Sequence, residues 1–244
     1  MKTICAICQK GGVGKSSTCL ALAAGFHNDG KKVLILDVDP QCNITFVAGA
    51  MGARPDLHDV LTGAADPTGA VIASSVGDIL PSSALLSDAD IKSPDDLKRL
   101  LGAFSRRYDV AIIDCPPSLG LLTLAAVMAS NYAIIPAKAD SFGYTAAAET
   151  MRTIQFIKGK GSRVKLLGIL PTLANPRANI HKQFVAALED LAAANGCRVY
   201  DSIRMSTAIP EAESLQRPDF YQYAPRSGAV QDYKRFYEEI RGEI

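Results

Sequence analysis

Gln9-Lys10-Gly11-Gly12-Val13-Gly14-Lys15-Ser16-Ser17 is the stretch from which the fold can be read. The apolar run Thr3 to Cys8 leads into it, and a helical pattern, Ser17 to Asn28, follows. Strand, glycine loop and helix in that order are the setting a phosphate-binding loop requires. Glycines let the backbone take turns closed to other residues, so successive N–H groups can converge on phosphate oxygens. The helix that follows adds unpaired N–H groups and the positive end of its dipole. Gly11, Gly12, Val13, Gly14, Lys15, Ser16 and Ser17 are the candidate phosphate contacts, with Lys15 aimed at the β- and γ-phosphates and the Ser16 hydroxyl at Mg²⁺. The competing reading, a glycine-rich turn with two solvated lysines, needs a spacing that chance supplies in roughly one chain in ten thousand.

Lys10 goes beyond the general motif, because an ordinary phosphate loop accepts almost any residue there. Lys10-Gly11-Gly12-Val13-Gly14-Lys15-Ser16 resembles the deviant Walker A motif of the ParA/MinD family of ATPases. The resemblance implies that the nucleotide is ATP and that Lys10 crosses a dimer interface to the partner's γ-phosphate. Spacing alone implies neither.

Two further segments carry carboxylates. Leu36-Asp37-Val38-Asp39-Pro40-Gln41 ends an apolar run, with Asp37 and Asp39 on one side of an extended segment. Paired acids beside a phosphate site suggest organisation of metal or water. The segment resembles the family's Asp-x-Asp-Pro-Gln motif, which implies that Asp39 orients the attacking water and helps bind the magnesium's water shell. The family often has Gly or Ala after the Gln, where this chain has Cys42. Val110-Ala111-Ile112-Ile113-Asp114-Cys115-Pro116-Pro117-Ser118 reads as a hydrophobic strand ending in a magnesium-binding acid, Asp114. Its Cys-Pro-Pro-Ser tail resembles the nucleotide-sensing switch of the same family.

The resemblance extends over nearly the whole chain. Gly168-Ile169-Leu170-Pro171-Thr172 with Arg177 resembles the strand and loop near the adenine, and Ser202-Ile203-Arg204, Glu211-Ala212 and Tyr223-Ala224-Pro225-Arg226-Ser227 match C-terminal landmarks loosely. Thr172 and Pro210 are the candidate nucleotide contacts in this half.

Short apolar runs at Thr3–Cys8, Val33–Asp37, Val110–Asp114, Tyr132–Pro136 and Leu166–Leu170 show little polar alternation, as expected of parallel strands covered on both faces. Helical patterns at Ser17–Asn28, Pro94–Arg106, Leu121–Ser130, Tyr144–Lys158 and Asn179–Asn195 lie between them. The alternation predicts a doubly wound α/β fold, a mostly parallel sheet with helices on both faces, as in P-loop NTPases of the deviant Walker A type. Residues 1–244 read as one domain without an N-terminal DNA-binding extension. Residues 48–76 form a peripheral excursion around a short helix, Asp56–Leu61, and Asp78–Ser82 reads as a further short strand. Ser93 is expected as the N-cap of the next helix, with Pro94 at its first position. Asp88, Asp90, Asp95 and Asp96 read as a solvated acidic face.

Apolar residues make up 48% of the 244, enough for a sizeable core, and no run approaches the length of a membrane span. The first strand follows Met1 at once, leaving no room for a signal peptide, so a cytoplasmic protein is expected. A net charge of +1 gives no global field toward nucleic acid, but the halves differ: residues 1–150 carry 12 basic and 15 acidic side chains, residues 151–244 carry 14 and 10. Cys5 and Cys8 lie on opposite faces of one strand, too awkward for a shared metal, and read as buried thiols. Val230, Tyr233, Phe236, Tyr237, Ile240 and Ile244 form an apolar stripe whose neighbouring charges are net acidic, favouring core packing over an anionic membrane.

The expected protein is a ParA-like ATPase that binds ATP and Mg²⁺, dimerises with ATP and hydrolyses it slowly. From the resemblance, its further partners are nucleoid DNA held non-specifically and a ParB-like centromere-binding protein, with no membrane. Candidate DNA contacts are Lys158, Lys160, Arg163 and Lys165 in one loop, with Arg204 and Arg217. Two alternatives stand: a membrane-associated positioning ATPase like MinD, and an iron–sulfur or electron-transfer ATPase of the same superfamily.

Overall fold

The structure, a computed structural model, describes residues 1–244. Eight strands form one sheet: β1 (Lys2–Ala6), β2 (Val33–Asp37), β3 (Ile72–Ser74), β4 (Gly77–Leu80), β5 (Val110–Asp114), β6 (Tyr132–Lys138), β7 (Lys165–Thr172) and β8 (Arg198–Val199). Their order across the sheet is β3-β4-β2-β5-β1-β6-β7-β8. All neighbours are parallel except β3, which runs antiparallel to β4. The helices are α1 (Lys15–Asn28), α2 (Asn43–Val47), α3 (Leu57–Thr62), α4 (Asp96–Phe104), α5 (Leu121–Met128), α6 (Ser141–Gly159), α7 (Asn179–Ala194), α8 (Ala208–Ser214), α9 (Phe220–Tyr223) and α10 (Gly228–Glu243).

Alternate residues of each strand serve opposite faces, so the sheet divides the interior into two cores. Cys5, Leu34, Leu36, Ala111, Ile113 and Ile135 pack under α4, α5, α6 and α7. Ile4, Val33, Ile35, Ile112, Ile134 and Leu170 pack under α1 and the C-terminal helices. Burial on both faces is why the central strands read as continuous apolar runs. The stripe on α10 belongs to the second core: Val230, Tyr233, Phe236, Tyr237 and Ile240 are all buried. α10 lies so close to α1 that a Cβ on Gly25 would stand 2.5 Å from the Tyr237 ring.

Four details differ from the sequence reading. The edge strand β3 and the two-residue β8 were not expected; runs this short carry no periodic signal. α4 starts at Asp96 with Asp95 as its cap, because the Asp96 carboxylate accepts from Lys92 N and Ser93 N and holds those residues in a turn outside the helix. The acidic loop is not simply a solvated face. Asp88 accepts from Leu122 N at 2.8 Å, capping α5, and Asp90 contacts His58 Nδ1 at 3.0 Å. Carboxylates near unpaired helix N–H groups are stabilised by them, which composition alone does not reveal.

Candidate nucleotide site

The carboxyl ends of the central strands converge. Ala6 pairs with Asp114, and Asp114 with Asp37, so β1, β5 and β2 end in register. Each end delivers one part of the site: the glycine loop from β1, Asp39 just past β2, Asp114 from β5. Gly12 and Gly14 take the left-handed conformation, φ 69° and 81°, and Gly14 caps α1 with its N–H groups exposed toward the loop's hollow.

Lys15 is 6% exposed, and its Nζ donates to the Lys10 carbonyl at 3.0 Å. A buried ammonium with a neutral partner leaves its charge available to an anion. Ser16 Oγ donates to Asp114 Oδ2 at 2.5 Å. Thr172 Oγ1 donates to Val13 O at 2.8 Å, pinning the loop from the end of β7.

Asp37 plays a structural part. Its Oδ2 accepts from Thr45 N at 2.8 Å and from Thr45 Oγ1 at 2.7 Å, and its Oδ1 accepts from Asp39 N at 3.2 Å. Thr45 Oγ1 in turn accepts from Ser82 N at 2.8 Å. This network sets the loop that carries Asp39, whose Oδ1 accepts from Gln41 N at 3.0 Å. Cys42, where the family often has a small residue, sits in the left-handed region at φ 58° and caps α2. A non-glycine residue there costs about 1 kcal/mol.

Burial raises the proton affinity of all three acids, with Asp37's charge adding to the effect on Asp114 and Lys15 opposing it on Asp39. No three His, Cys, Asp or Glu side chains converge to hold a metal by themselves. A hard cation such as Mg²⁺ takes oxygen ligands from hydroxyl, carboxylate, water and phosphate. Ser16, Asp39 and Asp114 are the residues present for it.

Two cavities meet at the loop. One, about 440 Å³, is lined by Gly11, Lys15, Ser16, Asp39 and Pro117 among others, and fits phosphates. The other, about 1110 Å³, runs between the loop 172–177 and the segment 203–210, and includes Thr172, Arg177, Tyr233 and Pro210. Of the residues named as candidates for the nucleotide, Gly11, Gly12, Gly14, Lys15, Ser16, Ser17, Thr172 and Pro210 line these cavities; the Val13 side chain is buried against Cys8 and Ala146 instead, and the other exception is Lys10. Its Nζ faces away, 3.5 Å from Asp140 Oδ1 and 5.1 Å from the centre of the Phe142 ring.

The basic candidates do not form one patch. The four expected in one loop are not all in it: Lys158 is in the last turn of α6 and Lys165 opens β7, leaving Lys160 and Arg163 in the connection, at the end of the sheet opposite the glycine loop. Arg204 is on the rim of the large cavity and is held by Asp232: its Nε donates to Oδ2 at 2.8 Å and its Nη2 to Oδ1 at 2.8 Å. Arg217 is exposed, just after α8. The six cysteines are free; five are buried, with Cys5 beside Cys115, and Cys197 is half-buried.

Two site residues escaped the sequence reading. Tyr233, counted there only as part of the apolar stripe, lines the large cavity. Glu213 accepts from Ser17 Oγ at 2.6 Å across 196 residues, and no local pattern announces such a contact.

Comparison with known proteins agrees with this geometry. A family described as an AAA domain matches residues 1–166. The Sporulation initiation inhibitor protein Soj of Bacillus subtilis is 32% identical, the alignment covering 95% of each chain. The Chromosome partitioning protein ParA of Caulobacter vibrioides is 30% identical over 95% of this chain and 91% of its own. The crystal structure of Cobyrinic Acid a,c-diamide synthase from Mycobacterium smegmatis with bound ATP analog and magnesium aligns with a TM-score of 0.83 at 27% identity, covering 98% of this chain and 94% of that one. Identity at this level along nearly the full length, joined to the lysine-led glycine loop, makes the chain a member of the ParA/MinD family of P-loop partition ATPases.

Proposed function

We propose that this protein is a ParA-like ATPase that dimerises around ATP and Mg²⁺, binds DNA without regard to sequence, and drives segregation of a plasmid or chromosome. Hydrolysis is slow until a ParB-like centromere-binding partner stimulates it, and the working form is nucleoid-associated. The observation that carries the reading is the position of Lys10. It belongs to the phosphate loop, yet its ammonium lies outside the cavity that loop encloses. A cation so placed serves a phosphate presented by a second molecule, as an arginine finger does.

Within one protomer, Lys15 and the loop N–H groups hold the phosphates. Asp39 spends one oxygen on Gln41 N and keeps the other for the attacking water. When bound, Mg²⁺ would be held by Ser16 and, through water, by Asp39 and Asp114, and would neutralise charge on the phosphates. Lys10 from the partner adds positive charge where the γ-phosphate's charge develops.

The names of the two relatives point to partitioning and sporulation control, and their identity exceeds that of the solved amide synthase. Membrane positioning finds less support, because the apolar face of α10 is already consumed by α1 and the sheet. No helix is long and apolar enough to cross a membrane. A DNA-binding titration with ATP and with ADP, at two salt concentrations, tests the proposal. Equal affinity in both nucleotides would overturn it.

A further inference from the structure

The two cavities share only part of their walls. Gly12, Gly14, Ser17, Pro210 and Glu213 line both. If phosphates occupy the smaller cavity and a base the larger, the sugar sits where they join. Glu213 is the one charged residue among the five. Its Oε1 accepts from Ser17 Oγ at 2.6 Å, and its other oxygen has no protein partner. A carboxylate facing a phosphate would repel it. Facing a vicinal diol, the same group accepts hydrogen bonds from neutral donors, and bonds to charged acceptors are the stronger kind. Glu213 is half-buried and its second oxygen is open to the junction of the cavities, where it can accept from new donors.

We propose that Glu213 reads the ribose of the bound nucleotide and makes the protein selective for ribonucleotides over deoxyribonucleotides. The inference rests on the nucleotide reading above and adds the part of the ligand that sets its sugar specificity. Ser17 positions the carboxylate, and the short α8 carries it across the junction between the cavities.

Calorimetric titration of the full chain with ATP, 2′-deoxy-ATP and 3′-deoxy-ATP in Mg²⁺ tests it. Wild type should bind ATP about tenfold more tightly than at least one deoxy analogue, the loss expected for one hydrogen bond to a charged group. In Glu213→Ala that ratio should collapse to about one, while the isosteric Glu213→Gln keeps part of it. Ser17→Ala should weaken all three nucleotides and leave a clear preference for ATP. Equal binding of the three by wild type, or an undiminished ratio in Glu213→Ala, would overturn the assignment. Failure of wild type to bind ATP at all would instead overturn the nucleotide reading beneath it.

Discussion

Ser16 Oγ donates its proton to Asp114 Oδ2 at 2.5 Å, tying the glycine loop to the end of β5. As a donor in that contact the hydroxyl keeps its lone pairs, and Ser16 lines the small cavity, where a hard cation needs oxygen ligands. Ser16→Ala should therefore abolish the benefit of magnesium. Its ATP affinity with Mg²⁺ should match that in EDTA, whereas wild type should bind about tenfold or more tightly with the metal. Calorimetry with and without EDTA decides; a magnesium effect of wild-type size in the variant would remove Ser16 from the metal's ligands.

Lys10 separates nucleotide binding from assembly. Its Nζ rests near Asp140 and Phe142, outside the cavity, so Lys10→Ala should keep ATP affinity. The variant should fail to dimerise with a slowly hydrolysed ATP analogue. Sedimentation velocity measures this, and a dimer of wild-type strength would reduce Lys10 to a surface charge.

Asp39 separates binding from hydrolysis. Only one of its oxygens is bound to Gln41 N, and the cavity reaches the side chain. Asp39→Ala should bind ATP yet turn it over about 100-fold more slowly, the usual range for a lost proton-accepting group, and accumulate as an ATP-bound dimer. Normal turnover would assign the water to another residue.

Thr45 holds the loop beneath that acid. Its hydroxyl donates to Asp37 Oδ2 and accepts from Ser82 N, with all three groups buried. Thr45→Val keeps the shape but strands a buried N–H and weakens the Asp37 contact, which should cost about 2 kcal/mol. For a chain of this size that lowers the melting temperature by roughly 4–8 °C. Hydrolysis should fall with it, since Asp39 N is anchored by the same carboxylate. An unchanged melting curve would mean the network contributes nothing net.

What the sequence disclosed follows from range. Asp114 ends an apolar run, and the glycine loop with Lys15 and the turn with Asp39 follow directly on two others; a parallel sheet gathers such ends automatically, so local pattern sufficed. Cys42 was visible as an odd residue, and its left-handed backbone shows why small residues suit that position. Glu213 was not legible: it sits within one turn of Glu211 with nothing to distinguish the two, and only folding brings it to Ser17. β3 and β8 are too short for periodicity. Ser93 looked like a cap because serine before proline usually is one. Ser93 Oγ does accept from Asp95 N at 3.3 Å and Asp96 accepts from Ser93 N at 2.9 Å, so Ser93 caps the turn that leads into α4, while the helix itself starts at Asp96.

DNA binding depends on which cations are free to meet phosphate. Arg204 is tied to Asp232, which it shares with Arg235, so reversing it would disturb the wall of the large cavity as well as any DNA contact. Lys158, Lys160 and Arg163 make no salt bridge, and neither does Arg217. These four are the better probes. They lie at opposite ends of the sheet, so one straight duplex need not touch both groups on one protomer, and separate variants can tell them apart. A phosphate contact contributes about 0.9 to the slope of log affinity against log salt, and a dimer doubles each contact. Lys158→Glu with Lys160→Glu should therefore lower the slope of the ATP-bound form by about 4 if the loop carries the DNA, and Arg217→Glu by about 2 if the α8 end does. Affinity for ATP should stay at its wild-type value in each, because none of these side chains lines either cavity. Fluorescence anisotropy with a labelled duplex over a range of salt gives the slopes. A slope unchanged in both variants would exclude Lys158, Lys160 and Arg217 as the DNA surface, even if wild type binds DNA in an ATP-dependent way.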